Sequence, residues 1–224
     1  MVVSISKVRS IVEEKLSCSA HDMEHVNRVY NMCMFLAKDD NTVNKEVLEL
    51  AALLHDIARI EEDTDKTGKI DHAILGSEMA KTILNDLGYE DNIVERVAKC
   101  IKEHRFRSGE MPSSKEAMIL YDSDKIDILG AIGLARSYMI AGEYGEPIYR
   151  DIDIDEYIKE NLYNGEKKGR IIDISKHSPN LEYQLKLVNI PEKLFTSKGK
   201  DIAIKRLSFM ELFYNELSKE IGGN

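Results

Sequence analysis

The sequence predicts an all-α protein, and three observations carry that prediction. Apolar residues recur at spacings of three and four along almost the whole chain. No run alternates with period two for long enough to make a strand. Breakers are scarce, with 13 Gly and 4 Pro among 224 residues.

The elements follow in order. Ile5, Val8, Ile11 and Val12 share one helical face and predict a first helix over about 4–17. Ser19 caps a second, which carries Val26, Val29, Tyr30, Cys33, Met34 and Leu36. Asn41 or Thr42 opens a third helix that runs to about Ile60. Residues 61–71 are charged and contain Thr67-Gly68, so they read as a loop. A helix from His72 to Leu87 ends at Gly88, and Asp91 starts another that reaches about His104. Residues 105–114, with Gly109 and Pro112, form a second loop. Lys115 to about Ile140 is helical, with a break near Tyr121–Ser123. The stretch 141–180 collects most of the remaining Gly and Pro and reads as partly irregular, with a short helix near Ile154–Leu162. Two final helices are expected over about Leu181–Leu194 and Ser197–Ile221. Residues 1–224 thus read as a single domain, with a core at about 19–140, the irregular stretch 141–180 and C-terminal helices over 181–221.

Composition narrows the function classes. A chain that is 43% hydrophobic and 32% charged suits one globular domain with a sizeable core. No apolar run approaches the roughly 18 residues of a membrane span. The start Met1-Val2-Val3-Ser4-Ile5-Ser6-Lys7 lacks the pattern of a secretion signal. Cys18, Cys33 and Cys100 are odd in number and show no CxxC spacing, as expected of reduced thiols in a cytoplasmic protein. A net charge of −9 weighs against nucleic-acid binding but allows a local basic pocket for a small phosphorylated ligand. Oligomeric state is left open, because no heptad seam is legible.

The chemistry centres on His55-Asp56, set in the apolar run from Leu50 to Ala58. Burying an imidazole and a carboxylate costs free energy unless something pairs with them. A hydrogen-bonded core pair is one answer and a divalent metal is the other. Five of the six histidines fall within residues 21–104, and His21, His25 and Arg28 share a helix face. On one helix, His55 and Asp56 diverge by about 100° and reach one ion only at the open end of a bundle. Asp122, Asp124 and Asp127 cluster downstream around Lys125. Two His and two Asp oxygens suit Mn²⁺, Fe²⁺, Co²⁺, Ni²⁺ or Mg²⁺ with positions left for water and substrate.

The order His25 … His55-Asp56 … Asp124 resembles the HD superfamily of metal-dependent phosphohydrolases, in particular its small stand-alone bacterial and archaeal branch. The resemblance is carried by His21–Val29, Ala52–Ile57, Glu103–Arg107, Ile119–Arg136 and the tail from Lys193 to Met210, and it is weakest over 142–176. It implies an HD helical bundle with additional C-terminal helices, and a divalent ion held by His25, His55, Asp56 and Asp124. It also implies hydrolysis of a phosphoester or phosphoanhydride of a small phosphorylated molecule, most often a nucleotide, by attack of water on the ion. Arg28, Arg59 and Lys125 are candidate phosphate contacts. Arg59 stands where relatives carry an acidic residue or Lys, which favours a phosphate clamp there and leaves the proton donor unidentified. His72 and His104 are expected to line the pocket beside one tightly held ion, as acid to the leaving group or phosphate contact. A second ion on them would favour a cyclic-nucleotide phosphodiesterase. His21, Asp122 and Asp127 are expected to orient the ligands from behind. Glu61, Glu62, Asp63 and Asp65 could supply an acid, but nothing in the sequence orders them. Arg105 and Arg107 read as surface groups, and His177 has no partner that the sequence names. A non-catalytic regulatory HD protein is the remaining alternative, disfavoured because no ligand of the set is missing.

Overall fold

A computed structural model describes residues 5–16, 23–105 and 111–223. Every regular element in them is helical, as the sequence predicts; the lone extended pairing is a bridge between Leu162 and Ile171. The chain falls into two compact units, Met1–Asp124 and Lys125–Asn224.

The first unit contains α1 (Ile5–Leu16), α2 (Met23–Leu36), α3 (Lys45–Leu54), α4 (Arg59–Thr64), α5 (His72–Asp86) and α6 (Asp91–Glu103), and α7 (Lys115–Asp127) carries the chain out of it. Helix α3 is its centre. Val47, Leu48, Leu50, Ala51, Ala52, Leu53 and Leu54 are all buried, and α1, α2 and α6 pack around them. A helix apolar on all sides is a core helix. Its N-cap is Asn44, not Asn41 or Thr42, and the Asn44 side chain accepts from Val47 N at 3.0 Å. Buried Glu116 of α7 accepts from Asn44 N at 2.7 Å and from Arg96 of α6 at 3.1 Å, which ties three helices together.

The long third helix expected to reach Ile60 is broken. It stops at Leu54, residues 55–58 form a turn, and the separate helix α4 occupies part of the expected loop. The turn is closed by Ile57 N to Leu54 O (3.1 Å) and Arg59 N to Asp56 O (2.9 Å). Apolar periodicity hides the break because Leu53, Leu54, Ile57 and Ala58 are all buried on either side of it.

The second unit contains α8 (Gly130–Tyr144), α9 (Ile154–Asn161), α10 (Pro179–Leu185), α11 (Ile190–Lys193) and α12 (Ser197–Ile221). The break expected at Tyr121–Ser123 lies instead at 128–129. Gly130 has φ +75° there, and a Cβ on Gly133 would meet Ile128 O at 2.2 Å, so both positions need glycine. The helix expected over 181–194 is likewise divided, with a 3₁₀ turn at Leu187–Asn189 between α10 and α11. No described helix is long and apolar enough to cross a membrane.

Candidate metal centre

Five polar side chains of the first unit are brought to one region around Asp56. At the end of α3, His55 is the C-cap, where carbonyls lack helical partners. Its Nδ1 bonds to Ala52 O at 2.9 Å, which leaves Nε2 as the lone-pair nitrogen. His104 repeats this at the end of α6, with Nδ1 on Ile101 O. Asp71 caps α5 by accepting from Ala73 N at 2.9 Å, and His72 is the first residue of that helix. His25 sits in the first turn of α2, and Asp124 lies on α7.

These groups converge on Asp56. Its Oδ2 lies 3.6 Å from His25 Nε2 and 3.7 Å from His55 Nε2. Its Oδ1 lies 3.3 Å from His72 Nε2 and 3.9 Å from His104 Nε2. His25 Nε2 is 3.3 Å from His55 Nε2 and 3.5 Å from Asp124 Oδ1. Among the described residues, two buried sets could hold a metal ion, His25/His55/Asp56 and Asp56/His72/His104. His55 keeps a helical backbone conformation at the end of α3, and its Nε2 and Asp56 Oδ2 lie 3.7 Å apart at the same centre.

Charge and tautomer follow from the surroundings. Burial opposes ionisation of Asp56, but His55 and His25 hold its carboxyl well below the usual range. Burial also lowers the His72 pKa and brings His104 down to about 3, so both rings are neutral at pH 7. His72 Nδ1 lies 2.7 Å from Glu62 Oε2 and 3.0 Å from Arg59 Nη1. The carboxylate is the acceptor of that set, so Nδ1 carries the proton and Nε2 the lone pair. The Nε2 atoms of His72 and His104 stand 3.2 Å apart with both Nδ1 protons already committed. Two acceptors facing each other at that distance are unsatisfied by one another. A divalent cation fits them, as it fits the all-N/O donor set around Asp56.

Other residues that the sequence singles out are placed as follows. Arg28 is part-exposed on α2, 3.7 Å from Glu24. The Arg59 guanidinium is held by Glu62 at 3.1 Å and Asp63 at 3.4 Å. Asp122 is fully buried on α7. Lys125 and Asp127 belong to the second unit, where Asp127 pairs with Arg136 at 3.2 Å. His21, Cys18 and Arg107 lie outside the described residues. Cys33 and Cys100 are free and buried, and burial pushes both thiols up to about 12.

Sequence reasoning names Glu62 without placing it and assigns Arg105 to the surface, so it misses their pairing. Glu62 accepts from Arg105, Arg59 and His72; burial opposes its ionisation, but Arg105 and His72 bring its pKa down to about 2. Arg105, expected on the surface, has a side chain only 12% exposed and lies between Glu62 and Asp71. The available signal was Glu62 standing three residues after Arg59 on a short acidic helix.

Comparison with known proteins gives a consistent result. Residues 22–129 match the HD domain family model. The chain is 24% identical over 219 residues to the uncharacterized protein YpgQ of Bacillus subtilis, spanning 96% of this chain and 91% of that protein. The crystal structure of YpgQ in complex with ADP superposes with a TM-score of 0.70 at 23% identity, over 96% of this chain and 94% of that one. An HD-superfamily hydrolase from Bacillus thuringiensis superposes with a TM-score of 0.72 at 25% identity, over 98% and 97% of the two chains.

Proposed function

We propose that this chain, whose residues 22–129 match the HD domain family model, is a metal-dependent phosphohydrolase of the HD superfamily that cleaves a phosphoester or phosphoanhydride of a nucleotide. The observation that carries this reading is Asp56, whose two oxygens face two different histidine pairs inside a buried N/O donor set. His25, His55, Asp56 and Asp124 would hold a divalent ion. When bound, such an ion lowers the pKa of water and polarises a phosphoryl oxygen.

The chain's own groups do the rest. Ala52 O and Ile101 O fix the rings of His55 and His104 so that their Nε2 atoms face Asp56. Glu62 holds His72 in the same tautomer. His72 and His104 are the groups beside Asp56 that can contact the phosphate or pass a proton to the leaving group. Arg28 is a candidate phosphate contact from the exposed side of α2. Arg59 is more engaged than a free phosphate clamp, since Glu62 and Asp63 already hold it. Support for a nucleotide comes from YpgQ, whose structure holds ADP.

The test is phosphate or pyrophosphate release from a nucleotide panel with Mn²⁺, Co²⁺, Ni²⁺ and Mg²⁺, beside metal-binding titrations. Asp56→Ala is expected to abolish both metal binding and turnover. Retained turnover in that variant refutes the reading. The facing lone pairs of His72 and His104 favour a second reading, two ions bridged by Asp56 and a cyclic phosphodiester substrate. Two metal equivalents per chain, falling to one in His72→Ala, would select it.

A further inference from the structure

The second unit contains a cavity that the HD chemistry does not use. It has a volume of about 680 Å³, within the size range of small-molecule sites. Lys167, Lys168 and Lys193 line it, and none has a carboxylate within ion-pair reach among the described residues. Such a concentration of unpaired cations is unexpected in a chain of net charge −9. It is regional: residues 167–200 carry eight Lys and Arg against three Asp and Glu. Two carboxylates also line the cavity: Glu182, whose Oε1 pairs with Lys186 at 2.7 Å and whose Oε2 stands 3.8 Å from His177 Nε2, and Glu192.

One lining residue belongs to a buried polar network. His177 lines the cavity although it is only 5% exposed. Asn161 is oriented by two bonds to the Asp173 backbone and donates from Nδ2 to the Tyr157 hydroxyl at 3.2 Å. The hydroxyl hydrogen then goes to His177 Nδ1, 2.8 Å away. A ring that accepts at Nδ1 carries its proton at Nε2. That Nε2 stands 3.8 Å from Glu182 Oε2, beyond hydrogen-bond reach, so its N–H is available to a ligand. The lysine-bearing turn is equally constrained: Gly169 N bonds to Glu166 O at 2.7 Å, and a Cβ on Gly169 would meet Tyr163 O at 2.4 Å.

We propose that this cavity binds a small anion bearing two or more phosphoryl groups, with Lys167, Lys168 and Lys193 around the phosphates and the His177 N–H donating to one of their oxygens. The site is built from the second unit alone and does not rest on the hydrolase reading.

Inorganic tripolyphosphate is the probe, titrated calorimetrically into the full chain carrying Asp56→Ala, in EDTA, so that metal-site binding does not contribute. One site per chain is expected. K167Q/K168Q/K193Q should weaken it roughly tenfold or more. The charge-matched control K176Q/K200Q/K205Q should leave it unchanged. In ¹⁵N spectra, the probe should shift the His177 Nε2 resonance. No binding, equal loss in both triple variants, or an unmoved His177 resonance each overturns the proposal.

Discussion

Replacing Glu62 by Gln tests whether the centre depends on the carboxylate behind it. The substitution keeps the shape of the side chain and removes its charge. Glu62 accepts from His72 Nδ1 at 2.7 Å and from Arg59 at 3.1 Å on Oε2, and from Arg105 on Oε1. A glutamine offers one acceptor oxygen, so its amide must face either the guanidinium of Arg105 or the pair His72 and Arg59. Arg59 and Arg105 retain weaker contacts to Asp63 at 3.4 Å and Asp71 at 3.6 Å. Hydrogen bonds to charged groups contribute about 1.5–3 kcal/mol each. The Glu62 side chain is 18% exposed, and the two arginines keep other partners, so a net loss of about 1–2 kcal/mol is expected. For a chain of this size that lowers Tm by roughly 2–8 °C. The effect on function should exceed the effect on stability, because the His72 tautomer is no longer enforced. In the two-ion reading His72 is a ligand, and loss of the group that orients a ligand typically weakens metal affinity or activity by about 10–100-fold. Thermal denaturation and Mn²⁺ titration at pH 7 measure the two effects, with the more exposed Asp63→Asn as control. If E62Q matches the wild type in both Tm and Mn²⁺ affinity, the assignment of Glu62 as the group that holds His72 is wrong.

Two further outcomes follow from the fold. Asp65 closes the turn between α4 and α5, accepting from Thr67 N, Lys69 N and Ile70 N at 2.8 Å each, and its bond to the Thr67 hydroxyl helps bring its pKa from 3.8 to about 2. A lowered folded-state pKa stabilises above the unfolded value. D65N should therefore be less stable than the wild type at pH 7, and the difference should fade as pH drops from about 4 to 2; a pH-independent gap in Tm would contradict it. Gly133→Ala places a Cβ 2.2 Å from Ile128 O, a backbone atom that cannot rotate away. It should destabilise by about 2–4 kcal/mol in a denaturant titration, and a loss below 0.5 kcal/mol would refute the packing argument.

The centre was legible in sequence for a physical reason. Imidazole and carboxylate in an apolar run demand a partner, and residue type alone announces that demand at His55 and Asp56, while His25 lies outside the run and is singled out by the family resemblance. What the sequence hides is how the backbone answers it. The polar run Asp122-Ser123-Asp124 resembles a helix breaker, yet α7 passes through it with Asp122 and Ser123 fully buried. The true breaks, after Leu54 and before Gly130, are covered by continuous apolar periodicity or rest on a single positive φ. Pairing is hidden for a different reason. Glu62 meets Arg105 across 43 residues, and His177 meets Tyr157 across 20, in a segment whose breakers suggest only irregularity. Local patterns report which groups need satisfaction, while long-range packing decides who satisfies them. The second unit shows the consequence most clearly. His177 is isolated in sequence, but in the structure Asn161 and Tyr157 fix its tautomer, and its remaining N–H lines a cavity bordered by unpaired lysines. A lone histidine gains chemical meaning there only through the hydroxyl that decides which of its nitrogens carries the proton.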